Sequence, residues 1–83
     1  MREQVVNILN DVMRLNLTHN IEDIDRTQVE DWDSVNHLRL VMELESAFCV
    51  ALSDSDVIQM DSLREIIVTL QRHGVAEGIA PAD

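Results

Sequence analysis

Three stretches of the chain alternate apolar and polar positions with the 3.6-residue period of a helix that buries one face. In the first, residues 3–15, Val5, Val6, Ile8, Leu9, Val12 and Met13 fall on one side, while Glu3, Asn7, Asn10, Asp11 and Arg14 fall on the other. That pattern predicts an ordinary surface helix whose apolar stripe is core. In the last, residues 62–72, Leu63, Ile66, Ile67 and Leu70 form the stripe, Ser62 and Glu65 suit a capping box, and Gly74 suits a stop. The middle stretch, residues 34–48, is different. Leu40, Val41, Leu44 and Phe48 make one cluster, and Val35, Leu38 and Met42 make a second ridge. Together they span about 220° of the helix, against a core stripe of somewhat more than about 100°. Either this helix is unusually buried or one edge of the arc stays in solvent. We assign the exposed edge to Val35, Leu38 and Met42, which lie alongside Ser34, and an exposed apolar stripe marks a partner site.

The segments between are of two kinds. Residues 16–33 read as a long loop rich in Asn, Thr, Asp and Glu, pinned to the core by Leu17, Ile21, Ile24 and Val29. A loop of that length in so small a domain tends to be functional. Residues 49–60 read as a connector in which Ser53-Asp54-Ser55-Asp56 caps a short turn through Val57, Ile58 and Met60. Its Asp/Ser alternation lacks the central Gly and terminal Glu of a calcium loop, and no metal is expected. There are no internal repeats and no strand-like alternation. The expected architecture is all-α: a four-helix bundle of three main helices and a short third, with a long first loop. It occupies residues 1–74, followed by a tail, Val75–Asp83, containing Pro81.

Composition narrows the class of partner. Eighty-three residues make one small domain, and with Cys49 as the single cysteine there is no internal disulfide, as suits a reducing compartment. Sixteen acidic residues against six basic ones, all Arg, give a formal net charge of −10. Such a surface repels phosphate backbones and anionic lipids, so nucleic-acid and membrane partners are disfavoured and basic patches on other proteins are favoured. The bland reading, acidity for solubility alone, stands beside it. No stretch reads as a signal peptide or reaches transmembrane length, so a soluble, cytoplasmic monomer is expected.

Candidate chemistry concentrates in Asp31-Trp32-Asp33-Ser34-Val35-Asn36-His37-Leu38-Arg39-Leu40. Asp33 is a good N-cap, and Ser34 opens the first turn with its hydroxyl near the positive end of the helix dipole. A phosphodiester attached there would meet free backbone N–H groups. Serine caps many helices with no further role, so spacing alone makes this a suggestion. His37 lies one turn from Ser34, but no orienting acid or oxyanion loop accompanies the pair, and a surface or half-buried histidine is expected. Cys49 has no basic neighbour and reads as a small apolar residue.

Asp33-Ser34-Val35, followed by the helix ending Val41-Met42-Glu43-Leu44-Glu45-Ser46-Ala47-Phe48, resembles the acyl carrier protein family, whose pattern is Asp-Ser-Leu and then an apolar helix ending in Leu-Glu-x-x-Phe. The resemblance runs without gaps over residues 3–72. Leu52 stands where the family has Ile before Pro or Ser, Val57-Ile58-Gln59-Met60 takes the place of its short third helix, and Asp61-Ser62-Leu63 opens the last one. It implies that Ser34 accepts 4′-phosphopantetheine from coenzyme A through a phosphopantetheinyl transferase. The arm then carries an acyl or aminoacyl group as a thioester between a loading enzyme and a downstream transferase or synthase. The carrier itself catalyses nothing. Asp33 matches the family's acid beside the attachment serine, where capping and transferase docking are both open. Trp32, Val35, Leu38, Arg39, Met42 and Glu45 are the residues placed where partners would meet the chain, with packing on the core the favoured role for Trp32.

The departures refine the expectation. Trp32 stands where the family often has Gly, and the Gly-Gly pair common in peptidyl carriers of modular synthetases is missing. Arg39, Ser46 and Ala47 replace acids usual in fatty-acid carriers. The chain is thus closer to stand-alone carriers serving a dedicated pathway. The competing expectation is a carrier-fold scaffold that binds a partner enzyme without using the serine.

Overall fold

The structure, a computed structural model, describes residues 1–75. It is all-α, with helices α1 (Arg2–Met13), α2 (Ser34–Phe48), α3 (Asp54–Gln59) and α4 (Leu63–Arg72) and a single 3-10 turn at Arg26–Gln28. α1 packs against both α2 and α4, and α3 packs against α4. The core joins Val5, Val6, Leu9 and Met13 of α1 to Leu40, Leu44 and Phe48 of α2 and to Leu63, Ile66 and Leu70 of α4. Val29, Trp32 and Met60 close it from the connections. Ile8, which the periodicity placed on the buried face, is only half-buried.

The three long helices end in the same way. Arg14, Cys49 and Gly74 take positive φ (56°, 54° and 87°). The N–H of the next residue reaches back to a carbonyl five positions earlier: Leu15 to Asn10, Val50 to Glu45, Val75 to Leu70. These are Schellman-type stops, and only the last uses glycine, the residue that enters this region without steric cost. α1 therefore stops two residues short of its apolar pattern, and Leu15 packs on the core from beyond the helix. Cys49, expected as an apolar filler, is exposed, because this turn carries its side chain out of the helix register. Of the expected tail, Val75 is half-buried against the core and the rest lies outside the described residues.

Polar contacts fasten the first loop along its length. The Asn10 side chain donates to the Leu17 carbonyl (3.1 Å) and accepts from the Leu17 N–H (2.9 Å), holding the chain where it leaves α1. The Arg2 guanidinium donates to the carbonyls of Ile21 and Glu22. Asp25 and Gln28 form a capping box on the 3-10 turn. Asp23 Oδ1 accepts from its neighbour Ile24 N–H and, across the fold, from Arg64 N–H in the first turn of α4 (both 2.9 Å). Antiparallel bonds from Arg26 N–H to the Asp61 carbonyl and from Leu63 N–H to the Ile24 carbonyl make one isolated bridge there. This bridge keeps Ser62 extended, with φ −153° and ψ 163°. Ser62 Oγ caps the Glu65 N–H as expected, but the reciprocal half of the box is absent from the cap, and Asp23 serves as the second acceptor.

α3 is capped by a reciprocal Ser53–Asp56 box. His73, beyond α4, meets Asp56 Oδ2 at 2.8 Å. That hydrogen bond, followed by one from the Ser53 backbone, holds the Asp56 carboxyl below its usual value.

Two outcomes are expected in urea unfolding. Asn10→Ala leaves Leu17 without its partners and should cost about 1–3 kcal/mol. Asp56 has a lower pKa folded than unfolded, so its contribution is present above the ordinary carboxyl range and is lost as pH falls through the folded value. The stability gap between wild type and Asp56→Asn should therefore shrink below about pH 4, and a gap that widens there would contradict the assignment.

Candidate functional site

Asp33 and Ser34 divide the work at the start of α2. Asp33 is the N-cap: its Oδ1 accepts from the Asn36 N–H (2.9 Å), and its carbonyl accepts from the His37 N–H (2.8 Å). Asn36 Nδ2 donates to the Asp31 carbonyl (2.7 Å), tying the end of the loop to the same turn. With the cap supplied by its neighbour, Ser34 is exposed at the first helical position, and its hydroxyl makes no hydrogen bond among the described residues. The backbone N–H groups of Ser34 and Val35 lie in the part of the turn that no intrahelical carbonyl can serve.

The two apolar arcs of α2 part company in space. His37, Leu40, Val41, Leu44 and Phe48 are buried. Val35, Leu38 and Met42 are 68%, 58% and 67% exposed, the ridge that the width of the arc implied. At about 100° per residue Ser34 sits on the border between these faces. Arg39 is exposed beyond the far edge of the ridge. Ile58 on α3 is also exposed.

Two residues expected to meet partners turn inward. Trp32 is only 3% exposed, and its Nε1–H donates to His37 Nδ1 (2.8 Å), with the two ring planes 26° apart and their centroids separated by 6.3 Å. The indole has found a buried acceptor there, so both its apolar body and its polar handle are satisfied inside. Glu45 is half-buried, and its Oε2 accepts from the Leu52 N–H (2.9 Å), fixing the turn after α2. His37 is more buried than expected, at 6% exposure, and its Nε2 meets the Val57 carbonyl (2.8 Å). Both ring nitrogens are engaged, so His37 is not available as a base for Ser34. The signal for its burial was present in the sequence: His37 lies three, four and seven residues before Leu40, Val41 and Leu44, in the middle of the core stripe. Among the described residues no cluster of His, Cys, Asp and Glu could hold a metal ion, and no helix is long and apolar enough to cross a membrane.

The division of labour between Asp33 and Ser34 has a stability signature. Asp33→Ala should lose about 0.5–2 kcal/mol. Ser34→Ala should stay within about 0.5 kcal/mol of wild type. Urea midpoints compared at equal slope distinguish the two, and a large loss in Ser34→Ala would make the serine a structural residue.

No family model matches this chain, and no curated protein or solved structure does either.

Proposed function

We propose that this chain is a carrier protein that holds an acyl or aminoacyl group as a thioester on a 4′-phosphopantetheine arm attached to Ser34. One observation carries the reading: the Ser34 hydroxyl stands in solvent at the first position of α2, relieved of capping by Asp33 and bordered by the exposed ridge of Val35, Leu38 and Met42. The residues present fit the group. Ser34 Oγ is an accessible nucleophile for transfer from coenzyme A by a phosphopantetheinyl transferase. First-turn N–H groups and the helix dipole favour the resulting phosphodiester. The arm, when attached, supplies a thiol that carries the cargo. The ridge gives the transferase, a loading enzyme and a downstream transferase or synthase a common apolar landing next to the reacting hydroxyl. Arg39, Ser46 and Ala47, all exposed, make that side of α2 less acidic than the chain as a whole, which favours a dedicated set of partners over those of bulk fatty-acid synthesis.

The test is modification. Incubation with coenzyme A and a broad-specificity phosphopantetheinyl transferase should raise the intact mass by one arm, and Ser34→Ala should gain nothing. A wild-type chain left unmodified by several transferases would overturn the reading. Val35→Asp and Met42→Glu should slow modification roughly tenfold, equivalent to about 1.4 kcal/mol, while leaving far-UV circular dichroism unchanged. Tight partner binding that survives Ser34→Ala, with no modification of the wild type, would mark a scaffold instead.

A further inference from the structure

A group tethered at Ser34 reaches the interior most directly along the edge of α2 that Ser34 occupies. At about 100° per residue, Ser34, Val41 and Glu45 line up along that edge. Glu45 reaches across it to Leu52, so the segment running alongside is the end of the connector, followed by α3. Leu52 and Val57 are the apolar side chains that this segment packs, half-buried, against the core. The seam between α2 and residues 52–57 is therefore the way in that lies nearest Ser34.

Two polar bridges close that seam. Near the start of α2, His37 Nε2 meets the Val57 carbonyl (2.8 Å). About 12 Å further along by helical rise, Glu45 Oε2 accepts from the Leu52 N–H (2.9 Å). Val41 lies between the bridges and is buried. Trp32 seals the end nearer Ser34, since its Nε1–H donates to His37 Nδ1, and His37 cannot shift without losing two hydrogen bonds. Among the described residues no buried side-chain nitrogen or oxygen lacks a partner. An aliphatic chain entering here must part at least one bridge. That strands a donor and an acceptor where burial keeps water from replacing the lost bond. It also presses on the fully buried Leu40, Leu44 and Met60, and a packed interior accepts added methylenes only with strain. A long aliphatic chain left outside fares no better, because it enlarges the apolar surface already exposed on Val35, Leu38 and Met42. A short polar group has no such difficulty, being solvated where it stands.

We propose that the cargo on Ser34 is a short, polar acyl group of the aminoacyl kind, which stays in solvent and does not enter the fold. The existence of a cargo rests on the carrier reading; the closure of the seam does not.

Two preparations test the proposal. In the first, a broad-specificity phosphopantetheinyl transferase installs the arm from butanoyl- or dodecanoyl-coenzyme A. In the second, N-butyl- or N-dodecyl-iodoacetamide alkylates the thiol at position 34 of a chain carrying Ser34→Cys and Cys49→Ser, the thiolate displacing iodide. Cys49 is replaced because it is exposed and would react as well. Trp32 is the single tryptophan, so its indole N–H is unambiguous in a ¹H–¹⁵N spectrum, and it is followed together with the Leu52 amide. The urea midpoint is measured for every form, and cleavage of the thioester by hydroxylamine for the first preparation. The short and long forms should match at both signals, share one midpoint and be cleaved at rates within about twofold, since neither chain is sheltered. A group held inside the native state raises its midpoint. The proposal is overturned if the long form moves either signal and raises the midpoint, or if its cleavage is slower by roughly tenfold or more. Failure of the transferase to install any arm would instead count against the carrier reading, while the alkylated chain still reports whether the seam admits a long chain.

Discussion

α2 carries more apolar surface than the other helices can cover. With α1 and α4 on one side, and a short α3 that offers no buried residue of its own, the domain can enclose only the face bearing Leu40, Leu44 and Phe48. The opposite ridge has to remain in water. The exposed ridge, the placement of Ser34 on the border of the two faces, and the need for a long loop to bring Val29 and Trp32 over the end of the core all follow from that shortage. Exposing Val35, Leu38 and Met42 forgoes on the order of 1.5–3 kcal/mol of burial per side chain. A small domain with little stability to spare retains such a loss more readily when the surface has a use.

Side-chain hydrogen bonds, most of them to the backbone, add to the apolar packing of the segments that are not long helices. Asn10, Arg2 and Asp23 secure the first loop, Glu45 secures the turn after α2, and two imidazoles secure α3. The distinction matters for motion. Apolar packing responds little to pH, whereas bonds through carboxylates and imidazoles respond directly. The start of α2 is held by the carboxylate of Asp33, and α3 by contacts from His37 and His73.

How much of this was legible in the chain depends on the range of the interaction. α2 was readable to its ends, because Asp33 is a local cap and the apolar spacing is strong. Helical angles showed an apolar arc too wide for a core stripe, and the exposed edge was assigned from its place beside Ser34. Packing of Trp32 on the core was the favoured expectation, but its partner, and the inward turn of Glu45, were not legible. Each turns inward to meet a partner several residues away whose orientation only the folded chain defines, His37 in one case and the Leu52 N–H in the other. The cap that Asp23 lends to Arg64 is more remote still, spanning 41 positions. His37 was a different kind of miss: its position in the core stripe was visible, but polar residue type outweighed periodicity.

The Asp23–Arg64 bond also bears on the order in which a ribosome releases this chain. α1, the loop and α2 all emerge before the residues that the loop must clasp, so during synthesis Asp23 waits with only its own neighbour to bind. The bridge between residues 25 and 62 and the core positions of Leu63, Ile66 and Leu70 become available together, when the last helix leaves the tunnel. Closing contacts of such long sequence separation come late. The loop therefore closes only once α4 has emerged, and until then the first loop and the core side of α2 lack the surface that covers them.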